Sequence, residues 1–257
     1  MSPSREMTSP GRRWLLDLGN SRLKCAPLDA QGRRGEVITL DLADAQALPS
    51  LLRQLGDAAP DDQLWLASVA QPARREALLR DLADAGFDCR LAQTRASLGR
   101  LRIAYADPSK LGIDRFLAML AASERGDGPW LLVSAGSALT LDLLAADGQH
   151  LGGLIAPMPV AMHETLAARF VQLDVQPGRA MDFADNTADA IASGCAGAAI
   201  GLVERSLRRA QALLGVAPTL LLSGGGAALL HGIDHSPIEL APAIVLDGLA
   251  RYARLQA

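Results

Sequence analysis

Two aspartates carry most of the chemistry this sequence can offer. Asp17 ends the apolar run Trp14–Leu16, and behind it come Leu18, Gly19, Asn20, Ser21, Arg22, Leu23 and Lys24. Strands disfavour Asp, so a carboxylate here needs a reward. A tight glycine corner lets backbone N–H groups approach a phosphate closely. Asn20, Ser21 and Lys24 add donors and a positive charge, and a strand-end Asp can hold Mg²⁺ through water. The competing reading is an ordinary hairpin with a solvated Asp and Lys, and this stretch alone does not choose between them.

The second carboxylate, Asp114, lies in Gly112-Ile113-Asp114-Arg115 at the start of a predicted helix, with Tyr105 upstream. An Asp there can simply cap the helix. The group as a whole offers more than a cap requires: a base, a cation suited to a carboxylate, and an aromatic wall. Two further glycine corners follow. Ser134-Ala135-Gly136-Ser137 is small, polar and backbone-accessible, and Leu221-Leu222-Ser223-Gly224-Gly225-Gly226 feeds a buried strand into a glycine run. Each is weak alone, since a tight packed hairpin explains it as well. The ordered set of three is the signal.

The elements that must hold these corners follow from periodicity. Strands are expected at Trp14–Leu18, Leu23–Pro27, Val37–Leu42, Gln63–Val69 and Cys89–Ala92, with helices over Ala45–Leu55, Ala73–Ala85 and Arg115–Arg125. Pro49 is expected to delay the first helix. After the break Gly126-Asp127-Gly128-Pro129, Trp130–Ser134, Ser137–Leu144 and part of Gly148–Pro157 read as strands, with Asp147-Gly148 as a hairpin turn. Helices over Val160–Ala168, Thr187–Leu213 and Pro242–Ala257 and a strand at Thr219–Leu222 complete the chain. Asn186 or Thr187 caps the long helix. The layout around Gly19 recurs around Gly136, so the pattern is α/β and duplicated. The expected domains are a disordered leader over 1–13, in which Met7 is an alternative start, a lobe over 14–126 and a lobe over 127–257, with a cleft between the lobes.

Composition removes several classes. The 257 residues are 49% hydrophobic but 4% aromatic, so the core is aliphatic, and a net charge of −3 argues against nucleic acid as a partner. No run of about 18 apolar residues offers a membrane span. Cys25, Cys89 and Cys195 are odd in number and widely spaced, which fits a reducing, cytoplasmic compartment and neither disulfides nor zinc. His163-Glu164 reads as helix surface, His231 and His235 lack ligand partners, and Cys195 reads as packing. The small-residue spacing of Gly194, Gly197 and Gly201 predicts close helix packing.

The order of the three corners resembles the acetate kinase–sugar kinase–Hsp70–actin superfamily, in which two phosphate motifs and an adenosine motif clamp ATP between two lobes. The chain further resembles the type III pantothenate kinases, the family that includes the Bvg accessory factor. The matching pieces are collinear: DLGNSRLK at Asp17–Lys24, Tyr105, GIDR at Gly112–Arg115, SAGSALTLD at Ser134–Asp142, GGLIAP at Gly152–Pro157, Asn186-Thr187, SGC at Ser193–Cys195 and LLSGGGA at Leu221–Ala227.

The resemblance implies a two-lobed, duplicated actin-like ATPase fold with mixed sheets flanked by helices, and phosphorylation of pantothenate by ATP, the first step toward coenzyme A. It implies that Asp114 is the general base and that Asp17 lies near Mg²⁺. Asp17, Leu18, Gly19, Asn20, Ser21, Arg22, Leu23 and Lys24, with Gly136, Ser137, Gly224 and Gly225, would bind ATP. Tyr105, Gly112, Ile113, Asp114, Arg115 and Thr187 would hold pantothenate, Thr187 across a homodimer interface. K⁺ or NH₄⁺ assists ATP binding in the family. One departure bears on that ion. The family's second corner reads Asp-x-Gly-Thr, whereas this chain has Ser134 and Ser137 at those places. Ser134 thus stands where the monovalent-cation Asp is expected, and neutral ligands alone should bind K⁺ more weakly. A regulator on the same fold, or a kinase of a related hydroxy acid, are the other readings.

Overall fold

The computed structural model describes residues 11–126, 128–170, 176–230, 233 and 237–256. Met7, most of the expected leader, His231 and His235 lie outside the described residues. Two compact units divide the chain. One comprises 1–94, 112–117 and 245–257, and the other 95–111 and 118–244.

The first unit is built on a five-stranded sheet. Its elements are β1 (Arg13–Leu18), β2 (Arg22–Leu28), β3 (Ile38–Asp41), α1 (Ala47–Leu55), β4 (Gln63–Ser68), α2 (Pro72–Asp84) and β5 (Cys89–Leu91). The strand order is β3-β2-β1-β4-β5. β1 runs antiparallel to β2 and parallel to β4, so Asp17 faces Lys24 on one side and Ala67 on the other. The alternation of β1 buries Leu16 and Leu18 with Leu51, Leu55, Leu64 and Leu82 in one aliphatic core. α1 starts at Ala47, two residues after the expected Ala45, with Pro49 in its first turn. A first-turn N–H has no intrahelical partner to lose, so proline is tolerated there.

Gly11–Arg13, expected as the end of the leader, belong to the fold. Arg13 opens β1. The Arg12 backbone N–H donates to Asp62 Oδ1 at 2.7 Å, and its guanidinium reaches Asp62 Oδ2 at 2.6 Å. The Asp62 carboxylate is almost wholly enclosed, and a buried charge requires such a partner. Hydrogen bonds from Arg12 hold its pKa below the usual carboxylate value.

The second unit repeats the plan. Here β6 (Ser97–Leu98) and β7 (Leu101–Arg102) form a small ribbon. The main sheet uses β8 (Trp130–Ala135), β9 (Ala138–Leu144), β10 (His150–Pro157), β11 (Thr219–Ser223) and β12 (Ile238–Leu240) in the order β10-β9-β8-β11-β12. β8 is antiparallel to β9 and parallel to β11, and β11 is parallel to β12. That is the sequence of directions found around β1, so the duplication read from the two glycine corners extends to whole sheets.

Helices α3 (Ile113–Ala122), α4 (Pro159–Arg169), α5 (Thr187–Leu214) and α6 (Ile244–Gln256) complete the described structure. α5 is capped by Asn186, whose side chain accepts from the Asp189 N–H at 3.0 Å. It buries Cys195, Ala199, Val203 and Leu207, the i, i+4 stripe of a helix packed on one side. Gly194, Gly197 and Gly201 do not serve close packing as expected. A β-carbon added at any of them would meet nothing within 4 Å, because they lie off the packed stripe, which runs through Cys195 and Ala199.

Candidate functional site

In the first unit the strand β1 delivers Asp17 to the edge of the corner. The Gly19 N–H bonds to the Arg22 carbonyl at 2.9 Å and closes the turn. Asn20 and Ser21 are exposed at its tip, while Leu18 and Leu23 are buried and fix the register. Arg74 of α2 donates to the Asn20 carbonyl. The corner is therefore held from behind while its polar tip faces outward.

Asp17 is half-buried, and its environment pushes its pKa up to about 6. Desolvation is the largest cause. The positive charge of Lys24 opposes it and the negative charge of Asp114 adds to it. A buried carboxylate whose proton affinity is raised by the charge of a second carboxylate is the kind of group that a divalent cation would relieve.

Asp114 sits in the first turn of α3. Its Oδ1 accepts from the Arg115 N–H at 2.8 Å, which holds the carboxylate over the helix start. Gly112 makes room for it, since a β-carbon at that position would lie 2.7 Å from Asp114 Oδ1. Ile113 is buried, and Arg115 is only 7% exposed, so α3 begins from a fixed base. The helix starts two residues earlier than the apolar spacing predicted and ends at Ala122, with turn hydrogen bonds at Glu124 and Arg125 beyond it.

The second unit gathers the other two glycine corners. Ser134, one residue before the end of β8, lies opposite Thr140 of β9 and Ser223 of β11, which sets three hydroxyl residues side by side near the sheet end. Gly136 and Ser137 are exposed just beyond. Gly224 follows β11 with φ +87°, and a β-carbon there would fall 2.4 Å from the Ala135 carbonyl oxygen. Only glycine fits that approach. The Gly226 N–H then bonds to the same oxygen at 2.9 Å. The second and third corners thus form one glycine-lined rim, with Gly225 exposed on it. Such a rim leaves backbone open to a ligand.

Two predicted substrate residues stand elsewhere in the second unit. Thr187 is exposed at the start of α5 and lines a cavity of about 870 Å³ with Pro157, Met162, Leu166, Asn186 and Ile191. Tyr105 lies among other residues, its ring stacked on His150 with centroids 6.2 Å apart and planes at 11°. The sequence reading gives His150 no role. The ring is wholly buried and its Nε2 lies 3.0 Å from Asp142 Oδ1. A polar residue at the inward end of β10, opening a run that is otherwise small and apolar, was the available signal. His163, expected on a helix surface, is half-buried, with Nε2 shielded from solvent. Cys195 is buried as packing. No group of three or more His, Cys, Asp or Glu able to hold a metal occurs among the described residues.

Comparison with known proteins gives a consistent result. The family model for type III pantothenate kinase matches residues 14–209. A Stenotrophomonas maltophilia strain K279a protein named type III pantothenate kinase is 47% identical over 245 residues, covering 93% of this chain and 96% of that protein. One of the same name from Xanthomonas axonopodis pv. citri is 46% identical over 246 residues, with the same coverage. Among solved structures, a conserved protein of the Baf transcriptional-activator family from Campylobacter jejuni superposes with TM-score 0.60 at 19% identity, over 94% of this chain and 97% of that one. A 2-dehydro-3-deoxygalactonokinase protein from Sinorhizobium meliloti gives 0.58 at 16%, over 94% and 98%. At these identities the structures speak to the fold alone: the duplicated sheets are those of actin-like ATPases and sugar kinases.

Proposed function

The chain belongs to the type III pantothenate kinase family, and from that premise we propose that it transfers the γ-phosphoryl group of ATP to the primary hydroxyl of pantothenate, with Asp114 as the base. The observation that carries the reading is the pair Asp17 and Asp114, held in one unit and close enough for the charge of one to raise the proton affinity of the other.

Phosphoryl transfer asks mainly for positioning and charge neutralisation. The substrate hydroxyl attacks the γ-phosphorus as the bond to the bridging oxygen breaks. Asp114 accepts the hydroxyl proton, and ADP leaves. The Asp17–Lys24 corner would orient the phosphates through backbone N–H groups and the charge of Lys24; the Gly136–Ser137 and Gly224–Gly225 rim of the second unit is assigned to ATP by the family resemblance. Mg²⁺, when bound beside Asp17 through water, would offset the phosphate charge. Tyr105, Gly112–Arg115 and Thr187 are assigned to pantothenate, with Arg115 matched to its carboxylate because a planar guanidinium fork grips one bidentately.

The monovalent-cation requirement is assigned a weakened form. The hydroxyls of Ser134, Thr140 and Ser223 offer oxygen but no charge. Restoring the charge with Ser134→Asp should increase the stimulation by K⁺ over Na⁺ about tenfold. Unchanged salt dependence would separate that position from the cation.

A homodimer is assigned to the second unit. Ile155 and Val160 are each 65% exposed and Phe183 is 97% exposed, and the open glycine stripe of α5 belongs to the same unit. Large apolar side chains left in solvent favour an interface. A cytoplasmic setting fits three free cysteines and the lack, among the described residues, of any helix long and apolar enough to cross a membrane.

The test is a coupled ADP-release assay with pantothenate and Mg²⁺, run in Na⁺, K⁺ and NH₄⁺. Pantothenate-dependent release is expected. Binding of both substrates without turnover in any salt would favour the regulator reading, with Ser134 as the first position to examine. Faster release with another hydroxy acid would redirect the substrate assignment.

A further inference from the structure

We propose that the buried His150–Asp142 pair is the positioning device for Tyr105. This rests on the reading of Tyr105 as a wall of the pantothenate site. Asp142 and His150 lie on β9 and β10, either side of the Asp147-Gly148 turn, and their side chains are almost wholly enclosed. A buried polar pair costs desolvation. Burial by itself does not require it, since Trp130, Leu132 and Leu144, which share the Asp142 face of the sheet, are buried apolar residues.

The contacts of the ring say what the pair does. The His150 Nδ1 accepts the backbone N–H of Ala104 at 3.3 Å. An accepting Nδ1 carries no proton, so the neutral ring is protonated at Nε2. That nitrogen faces Asp142 Oδ1 at 3.0 Å, obliquely to its N–H. The face of the same ring stacks on Tyr105, the residue after Ala104. One imidazole therefore meets both the backbone just before Tyr105 and the face of its ring, and the Asp142 carboxylate lies against the far edge of that imidazole as a charge rather than as a hydrogen-bond acceptor.

The chain leading to Tyr105 is tied to the same hairpin. The Arg102 N–H bonds to the Gly148 carbonyl at 3.0 Å, Arg102 Nη2 pairs with Asp147 Oδ2 at 3.0 Å, and Gln149 Nε2 donates to the Arg102 carbonyl at 3.3 Å. Gly148, at φ +85°, admits Arg100 so closely that a β-carbon would sit 2.3 Å from its carbonyl oxygen. These ties reach residue 102 and are largely exposed. His150, by contrast, is wholly buried and stacks on the aromatic ring itself.

The experiment is a double-mutant cycle read as Michaelis constants for each substrate. His150→Phe keeps volume and stacking but removes the acceptor for Ala104. It should raise KM for pantothenate about tenfold while KM for ATP stays within about twofold. His150→Asn returns an acceptor near the Nδ1 position and should recover part of the loss. In a Tyr105→Ala background His150→Phe should add little, because residues acting through one another are not additive.

Equal changes in both KM values, or full additivity with Tyr105→Ala, would overturn the proposal and leave His150 a packing residue. If Tyr105→Ala alone leaves the pantothenate KM unchanged, the substrate assignment of Tyr105 is what has failed, and the proposal falls with it. Asp142→Asn, which conserves shape, runs the same cycle should His150→Phe not fold. The same split in KM is expected from it, and no split would count against the pair.

Discussion

Replacing Asp114 by Asn should leave a folded protein whose kcat with pantothenate falls by about a thousandfold. The fold survives because the structural task of Asp114 is small. Its Oδ1 accepts the Arg115 N–H at the start of α3, and an Asn side chain offers an equivalent oxygen. The clearance left by Gly112 suits either residue. What Asn cannot do is accept the proton of an attacking hydroxyl. A loss confined to kcat, with the thermal unfolding temperature not lowered, is the pattern of a group used in the transition state. Turnover near the wild-type rate would reduce Asp114 to a helix-start residue and remove the base from the mechanism. The variant carries a second readout. The Asp114 charge is one of the causes that raise Asp17, so the titration of Asp17 should move down toward the ordinary carboxylate value once that charge is gone.

The sequence exposes some of these arrangements and hides others, for reasons that differ by residue. The pairing of Asp17 with Lys24 is local. Alternation fixes which side of β1 is buried, and the turn fixes register, so the corner could be drawn in advance. The Asp147-Gly148 turn is local in the same way: Gly148 takes φ +85° and the Asp147 side chain accepts from the Gln149 N–H. The proximity of Asp17 to Asp114 is different. No periodicity links positions so far apart, and only the family resemblance suggested that they work together. The company of Asp142 and His150 was hidden because inward strand positions are expected to be apolar, and a buried pair leaves no trace in composition. The glycines of α5 misled for a related reason. Small-residue spacing shows that a helix could pack closely on that stripe, but the face carrying Cys195, Ala199 and Val203 is the one the core selects. Residues 245–257 cluster with the first unit, a long-range result that amphipathic spacing cannot foresee.

Replacing Asp17 by Asn should stabilise the protein while removing its activity. In the folded chain Asp17 has its pKa raised to about 6, mainly by desolvation, against about 4 for an Asp in an unfolded chain. Between those values the folded state binds more protons than the unfolded state, so stability falls as pH rises through that window. Below about pH 4 the carboxyl is protonated in both states and the penalty is absent. Above pH 6 the whole penalty applies, on the order of 2–3 kcal/mol for a shift of roughly two units. Asn has no charge to desolvate. The variant should therefore match the wild type near pH 4 and exceed it by that amount at pH 8, as read by denaturant midpoints in the absence of nucleotide and metal. A functional carboxylate is expected to cost stability in this way, since the site is shaped for a charged ligand that the empty protein lacks. Equal stability at both pH values would mean that Asp17 is well solvated, and with that the argument for a cation beside it would lose its physical basis. A stabilised variant that no longer responds to Mg²⁺ and ATP would tie the strained charge on β1 to the chemistry it serves.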